Sequence, residues 1–361
     1  MLRTIITSLF ILNMFVSAAQ DSVVLRMMLL YDKDEYATII KEYAPQRKNL
    51  SARALYYLGI SYQFTDRDSI AIAIFNESLA KDNKDAEVYH YKAASFIYLD
   101  KNDSARYSFD RAIQLNPNRA SSYVGLGDSY FYEERYREAI PQYAKALAVD
   151  SQMTRAYWQT AISHLSEDNS REGLKWLYHF YKRSSPEDSV SYKNVRYNIA
   201  LVELLLGNPA TAIHFLEPYV KDYPDDYFGH SKLIQAYFGV SEYEKAKVIR
   251  NRLYEAHSKK LLPENMETMF CFDQFEWSGK KIQAYERFQS GKSSNIYYKH
   301  IYYVLKDDGD IDFSVQTEYS PYLVEQDNSG KSVYFLGMTR GNYHATYPVA
   351  LPEQIDYAEL K

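Results

Sequence analysis

The sequence contains very little cysteine, which narrows the kind of protein it can encode. Cys271 is the single cysteine in 361 residues, so no disulfide can form within the chain. Small secreted domains usually depend on such cross-links, and a chain without them must rely on a packed core. With 46% apolar residues the chain can build one. For an exported protein, this composition fits a bacterial envelope better than a disulfide-rich eukaryotic exterior.

Positive charge and long apolar runs are also scarce. There are 47 acidic and 42 basic residues, giving a formal net charge of −5. Binding of nucleic acid needs clustered lysine and arginine, so we expect no nucleic-acid partner. Beyond the N-terminus no stretch is apolar enough to span a bilayer. We therefore expect no transmembrane segment in the mature chain.

Residues 1–19 resemble a signal peptide. Arg3 precedes an apolar run from Ile5 to Val16, and small residues follow at positions 17–19. The alternative is a buried N-terminal helix, which is disfavoured because a polar, acidic segment starts at once at Asp21. The prediction is export to the periplasm or the cell surface, or secretion.

The middle of the chain repeats itself every 34 residues. Residues 86–119 and 120–153 match at seven positions, with large residues opposite large ones and small opposite small. In the second copy these are Tyr123, Gly127, Tyr130, Ala139, Tyr143, Ala146 and Ser151. Matches in the same register continue on both sides, which indicates a stacked helical repeat.

This pattern resembles the tetratricopeptide repeat (TPR), through Leu126-Gly127-Asp128-Ser129-Tyr130 and the spacing of Ala139, Tyr143 and Ala146. The resemblance covers about residues 20–260. It implies about six repeats in a right-handed α-solenoid, with a degenerate first copy at residues 21–48 and a bend near residues 184–190. Two residues depart from the family pattern: Phe180 stands in place of a small residue, and Glu203 in place of an aromatic.

The last quarter of the chain changes its periodicity. Residues 311–319 alternate apolar and polar at every step, as a half-buried strand does. Other runs rich in aromatic and β-branched residues are separated by turn signals. We therefore divide the chain into a signal peptide (1–19), a TPR solenoid (20–262) and an antiparallel β domain of five or six strands (263–361). The short link predicts that the β domain docks on the last repeat.

The sequence contains only incomplete matches to catalytic and ligand-binding motifs. Two Gly-Lys-Ser triplets, at residues 291–293 and 330–332, lack the earlier glycine and the following helix of a phosphate-binding loop, so they read as hairpin turns. The eight histidines show no pair at metal-ligand spacing. We find no catalytic motif and expect neither a metal nor another cofactor, so the chain is not predicted to be an enzyme.

The resemblance implies instead a protein-binding groove lined by the first helix of each repeat. In the family, the fifth, ninth and twelfth positions of this first helix face the groove. In this chain the fifth positions are Tyr56, His90, Val124, Trp158, Tyr197 and Ser231. The ninth positions include Ala94 and Asp128, and the twelfth include Ile97, Phe131 and Phe238. The predicted groove residues are Tyr56, His90, Ile97, Phe131, Trp158, Tyr197 and Phe238. The surface is apolar and aromatic, and it lacks the Lys and Asn with which chaperone-binding members hold a terminal carboxylate. An alternative is that some of these residues are core or are covered by the β domain.

Three functions remain open at this stage. The leading hypothesis is an exported adaptor that holds a segment of another protein or peptide in the groove. The second is an enzyme or small-ligand binder whose site lies on the β domain. The third is a structural part of an envelope assembly, joined through the edge of the sheet.

Overall fold

The computed structural model describes residues 22–263, 267–277, 280–289, 300–308, 311–317, 324–326, 332–334, 337–339 and 346–348. The predicted signal peptide at residues 1–19, the turn at residues 291–293 and residues 330–331 of the second triplet lie outside the described residues.

The chain divides into two compact units, residues 1–183 and 184–361. Helices of the first unit follow one another as pairs joined by short turns. Their bounds are residues 22–31 (α1), Tyr36–Tyr43 (α2), Ala52–Gln63 (α3), Asp68–Lys81 (α4), Ala86–Tyr98 (α5), Asn102–Leu115 (α6), Ala120–Phe131 (α7), Tyr136–Val149 (α8), Thr154–Ser166 (α9) and Ser170–Tyr181 (α10). A 3-10 helix, Ala44–Asn49, follows α2. The degenerate first copy therefore forms a shorter helix pair.

The second unit begins with two further pairs. Their helices are Ser189–Leu205 (α11), Pro209–Asp222 (α12), Tyr227–Gly239 (α13) and Tyr243–Ser258 (α14). Together with the four full-length pairs α3–α10, they make six helix pairs of similar length among the described residues. The mainly helical fold of repeated pairs is confirmed.

Particular residues mark where helices begin and where the chain turns between the two helices of a pair. The side chain of Ser51 accepts a hydrogen bond from the amide of Ala54 at the start of α3, and Asp85 accepts from the amides of Glu87 and Val88 at the start of α5. Between the two helices of each pair in the first unit, one acidic residue adopts a left-handed backbone. These residues are Asp34, Asp66, Asp100, Glu134 and Asp168, with φ between 54° and 58°.

Close contacts between paired helices explain the small residues of the repeat. A Cβ atom on Gly59 would lie 2.5 Å from the Phe75 ring, and one on Gly127 would lie 2.4 Å from the Tyr143 ring. Phe75, Tyr143, Ala139 and Ala146 are fully buried. The large and small positions of the 34-residue pattern are therefore the two sides of the same contacts.

The C-terminal region forms the predicted antiparallel sheet. Its strands, Glu267–Trp277 (β1), Lys280–Gln289 (β2), His300–Leu305 (β3) and Ile311–Thr317 (β4), lie in sequence order. Val324–Gln326 (β5) pairs with Ser332–Tyr334 (β6), and Gly337–Thr339 (β7) with Thr346–Pro348 (β8). The expectation was one sheet with five or six strands. Within the residues that the structure describes here, the main sheet has four strands, and the three-residue strands form two separate antiparallel pairs.

The sheet docks on the last helix pair, as the short link predicted. Strand β1 packs against α13 and α14. Lys247 Nζ lies 3.4 Å from Oδ2 of Asp273, and Arg250 Nε lies 3.7 Å from Oε2 of Glu286. Both carboxylates are buried, and the Arg250 guanidinium lies 4.5 Å from the centre of the Phe272 ring. Two cations of α14 therefore face two buried acids of the sheet.

Candidate protein-binding groove

The first helices of successive repeats form one continuous face in the first unit. Helix α3 contacts α5, α5 contacts α7, and α7 contacts α9. Because every pair turns back on itself, these four helices run in the same direction. We call the face formed by α3, α5, α7 and α9 the candidate groove.

A cavity of about 250 Å³ opens on this face. His90 and Ile97, two of the predicted groove residues, line it together with a mostly apolar floor and three exposed residues at the rim. The full lining is His90, Ala94, Ile97, Tyr98, Phe109, Ser121, Val124, Gly125, Asp128, Tyr132, Met153 and Arg155. Residues from the second, third and fourth full-length repeats thus meet at one concave site.

The other predicted residues of the first unit lie elsewhere on the face. Tyr56 is buried, with its ring centre 5.7 Å from that of Tyr91. Phe131 is half-buried and packs edge-on against Tyr136, with 5.3 Å between ring centres. Trp158 is half-buried and packs on Phe180 at 5.3 Å. Phe180, which departs from the family pattern, is thus the support for Trp158.

The remaining two predicted residues lie in the second unit. Tyr197 packs on Tyr219, with 5.5 Å between ring centres, and Phe238 packs on Tyr243 at 5.2 Å. A separate cavity of about 500 Å³ is lined by Lys193, residues 222–228 and Pro263. There Asp226 accepts a 2.6 Å hydrogen bond from the Tyr219 hydroxyl and lies 2.9 Å from Lys193. The second departure, Glu203, is buried and accepts from the side-chain amide of Asn208 at 2.8 Å.

His90 is held as a neutral ring at the cavity wall. Its Nδ1 lies 3.0 Å from Oγ of Ser122, and its ring meets the edge of Phe109. Burial, helped by the positive charge of Arg119, lowers the pKa of His90 to about 3. At neutral pH this histidine therefore contributes an uncharged aromatic surface.

An ion network lies at the N-terminal end of the first helices. Arg53 donates to Glu87 at 2.9 Å, and Arg119 lies 3.3 Å from the same carboxylate. Burial opposes ionisation of Glu87, but hydrogen bonds from Arg53 and Tyr56 outweigh it and lower its pKa. The Arg53 guanidinium also lies 4.2 Å from the centre of the Tyr56 ring. Glu87 therefore links its own repeat through charge to the repeat before it and to the repeat after it.

Asp128 is a buried carboxylate at the cavity wall. It accepts hydrogen bonds from the Tyr143 hydroxyl at 3.0 Å, the Gln159 amide at 3.0 Å and Arg155 at 2.7 Å. The side chain of Arg155 stays 59% exposed while that of Asp128 is 7% exposed. Arg155 is thus anchored at one end and faces solvent over the rest of its guanidinium.

Three exposed aromatic residues were missed by the sequence prediction. Phe64, Tyr98 and Tyr132 are 50%, 74% and 55% exposed, and they stand 34 residues apart. Each comes one place after the twelfth position from which the groove was predicted. Their common spacing is the signal that could have found them, since three aromatics in one register next to a polar turn are unusual for a buried contact.

Two kinds of feature are absent from the described ranges. No helix described here is long and apolar enough to cross a membrane. Among the same residues, no group of three or more His, Cys, Asp or Glu side chains could hold a metal ion.

Comparison with known proteins identifies the repeat. The family model described as tetratricopeptide repeat matches residues 120–153, the same 34 residues that the internal comparison delimits. The recognition of TPR repeats is therefore confirmed. No curated protein matches the chain.

Solved structures of TPR proteins are similar to part of the chain. PilF of Pseudomonas aeruginosa is 16% identical over 58% of this chain and 94% of that one, with a TM-score of 0.49. The C-terminal part of a TPR repeat-containing protein from Cytophaga hutchinsonii is 17% identical over 57% and 80%, with a TM-score of 0.49. YrrB, described as a TPR protein with an unusual peptide-binding site, is 16% identical over 54% and 95%, with a TM-score of 0.42.

Proposed function

We propose that this TPR protein is an exported adaptor that binds a segment of another protein or peptide in the candidate groove. TPR repeats are scaffolds for protein binding, and the groove supplies aromatic and aliphatic side chains of the kind that anchor an interface.

One observation carries the proposal, namely the cavity between α5 and α7. Its floor is apolar, with Ile97, Phe109 and Val124, while its rim has two exposed tyrosine rings, Tyr98 and Tyr132. Exposed aromatic rings beside a concave apolar surface are costly to leave in water and are typical of binding sites. A large apolar side chain of a partner would fill this space and cover both rings.

The test replaces groove aromatics and measures binding. A pull-down from the native envelope fraction identifies a partner, and calorimetry then gives its affinity. Phe131→Ala with Trp158→Ala should weaken binding by about 2 kcal/mol or more per anchor. Tyr98→Ala with Tyr132→Ala is the cleaner pair, because both rings are already exposed and the fold loses little packing.

Tyr107→Ala is the matched control, since Tyr107 is 63% exposed but lies on α6, a second helix of its repeat. It should leave the affinity unchanged. If folded variants with altered groove aromatics bind the partner as tightly as the unaltered protein, the groove is not the binding site.

Export is the second part of the proposal and rests on the order of charge, apolar run and small residues in 1–19. N-terminal sequencing of the exported protein should find a chain that starts at Ala19 or Gln20. An intact Met1 in a membrane pellet would contradict it.

A further inference from the structure

The two edges of the candidate groove carry opposite charge. Because the first helices run parallel, the turns that lead into them lie along one edge and the turns that leave them lie along the other. We define the basic edge as residues 46–53, 80–87, 114–121 and 148–155, with seven basic and four acidic residues. We define the acidic edge as residues 64–70, 98–104, 132–138 and 166–171, with nine acidic and five basic residues.

At the basic edge, two arginines face both the groove and solvent. The side chains of Arg53 and Arg155 are 43% and 59% exposed. Arg53 lies over the ring of Tyr56, and Arg155 lines the cavity. Each is fixed on one side by a carboxylate, Glu87 or Asp128, so each presents its remaining N–H donors in a set direction. The N-termini of the four parallel helices add positive potential at the same edge.

At the acidic edge, exposed carboxylates stand beside exposed rings. Asp66, Asp100, Glu134 and Asp168 are all exposed in the left-handed turns. Phe64, Tyr98 and Tyr132 each come two residues before one of them. A carboxylate next to an aromatic face suits a lysine or arginine, which can pair with the acid and lie on the ring.

Between the two edges the floor is apolar, so the groove has three chemical zones. We infer that its occupant is an amphipathic helical segment of a partner protein, with an apolar face flanked by acidic residues on one side and basic residues on the other. A helix can present three such faces around its axis at once, whereas an extended strand alternates only two. This inference rests on the proposed function, because it names the kind of segment that the groove would hold.

The experiment uses the full mature chain and synthetic, fluorescein-labelled peptides of about 18 residues, or about five helical turns. All peptides share one stripe of Leu and Phe. One carries acids on one flank and bases on the other, one has the same composition with the charges scrambled, one is acidic on both flanks and one is basic on both. Fluorescence anisotropy measures each affinity at low and high salt.

The unaltered protein should bind the segregated peptide about fivefold more tightly than the scrambled one, because exposed ion pairs each contribute about a factor of two to five. The difference should shrink at high salt. Arg53→Glu with Arg155→Glu should shift the preference to the all-basic peptide. A second variant combines Asp66→Lys, Asp100→Lys and Asp168→Lys, and it should prefer the all-acidic peptide. These three side chains are exposed, so this variant tests the inference even if the first variant does not fold.

Segregated and scrambled peptides that bind within twofold of each other would overturn the inference, as would edge variants with unchanged preference. If all peptides bind equally but Tyr98→Ala with Tyr132→Ala weakens them all, the groove stands and only the charge pattern is wrong. If no peptide binds at all, the inference fails, whereas the proposed function is decided separately by the affinity of the native partner for the groove variants.

Discussion

The hydroxyl of Tyr143 donates a 3.0 Å hydrogen bond to Oδ1 of Asp128 inside the core of one repeat. Tyr143 lies on α8 and is fully buried, and burial together with the adjacent Asp128 carboxylate raises its pKa well above the usual range. The same carboxylate accepts from Gln159 on α9. Asp128 therefore ties its own repeat to the next one as well as joining the two helices of its pair.

Tyr143→Phe keeps the ring against Gly127 but removes the hydroxyl. A hydrogen bond to a charged group contributes about 1.5–3 kcal/mol, so the free energy of unfolding should fall by about that amount. Urea denaturation at neutral pH measures it. Tyr107→Phe, at an exposed ring, should change the free energy of unfolding by less than about 0.5 kcal/mol. Equal midpoints for the two variants would contradict the role of the buried bond.

Ala146→Trp tests the repeat register. Ala146 is fully buried where α8 meets its partner helix, so a large ring there forces the helices apart at a cost of about 1–3 kcal/mol or more. Ser151→Ala alters an exposed position in the following turn and should cost less than about 0.5 kcal/mol. Thermal melting of both variants gives the comparison, and equal melting temperatures would show that the register is wrong.

The register could be predicted from sequence because each contact places one small and one large residue at fixed spacing. Gly127 and Tyr143 show this directly. The Asp128 site could not be predicted, since its donors come from α8 and α9 and only the packed structure brings them to one carboxylate. Tyr98 and Tyr132 share a 34-residue spacing that is visible in the sequence. Their exposure could be read only from the packed structure, in which the ring one residue past the twelfth place lies at the rim of the cavity.

Glu134→Gly should stabilise the protein. Glu134 has φ of 58°, a left-handed conformation that costs an ordinary residue about 1–2 kcal/mol and glycine almost nothing. Glycine also adds entropy to the unfolded chain, at about 0.4–1 kcal/mol, so the net gain should be about 0.5–1 kcal/mol. The control is Ala144→Gly, at an exposed site within α8, which should lose about 1 kcal/mol. Denaturation curves should shift in opposite directions, and a shift in the same direction would contradict the backbone argument.

His90 should make stability depend on pH. Its folded pKa of about 3 lies below the unfolded value of about 6.5, so between these pH values the unfolded chain binds a proton that the folded chain does not. Stability is therefore complete above pH 6.5 and falls with decreasing pH, by about 2 kcal/mol at pH 5.

His90→Gln should remove the part of the stability loss that His90 causes. The measurement is the free energy of unfolding at pH 7 minus that at pH 5, which should be smaller in the variant than in the unaltered protein. His214→Gln, at an exposed histidine, is the matched control and should leave the pH dependence as it is in the unaltered protein. A His90→Gln variant with the full pH dependence would show that the ring is not buried as described.

Arg250→Met tests the docking of the sheet on the last repeat. Methionine keeps the apolar contact with Phe272 but removes the cation that faces the fully buried Glu286. Taking one partner from a buried ion pair costs about 3–5 kcal/mol, because the remaining charge stays out of water. Glu286→Gln added to Arg250→Met should recover a large part of this loss, since the amide carries no charge. Lys175→Met, in an exposed pair with Glu172, should cost less than about 1 kcal/mol.

A chain that ends after residue 262 extends the same test. Without the sheet, the faces of α13 and α14 that contact β1 would be exposed to water, and a solenoid whose last pair is uncovered loses stability. The shortened chain should melt at a lower temperature and should self-associate, which light scattering detects. If residues 20–262 melt at the same temperature as residues 20–361 and stay monomeric, then the sheet does not stabilise the last repeat. The contacts of Lys247 and Arg250 would in that case hold together two modules that are each stable alone, and a separate ligand site on the sheet would become the hypothesis to pursue.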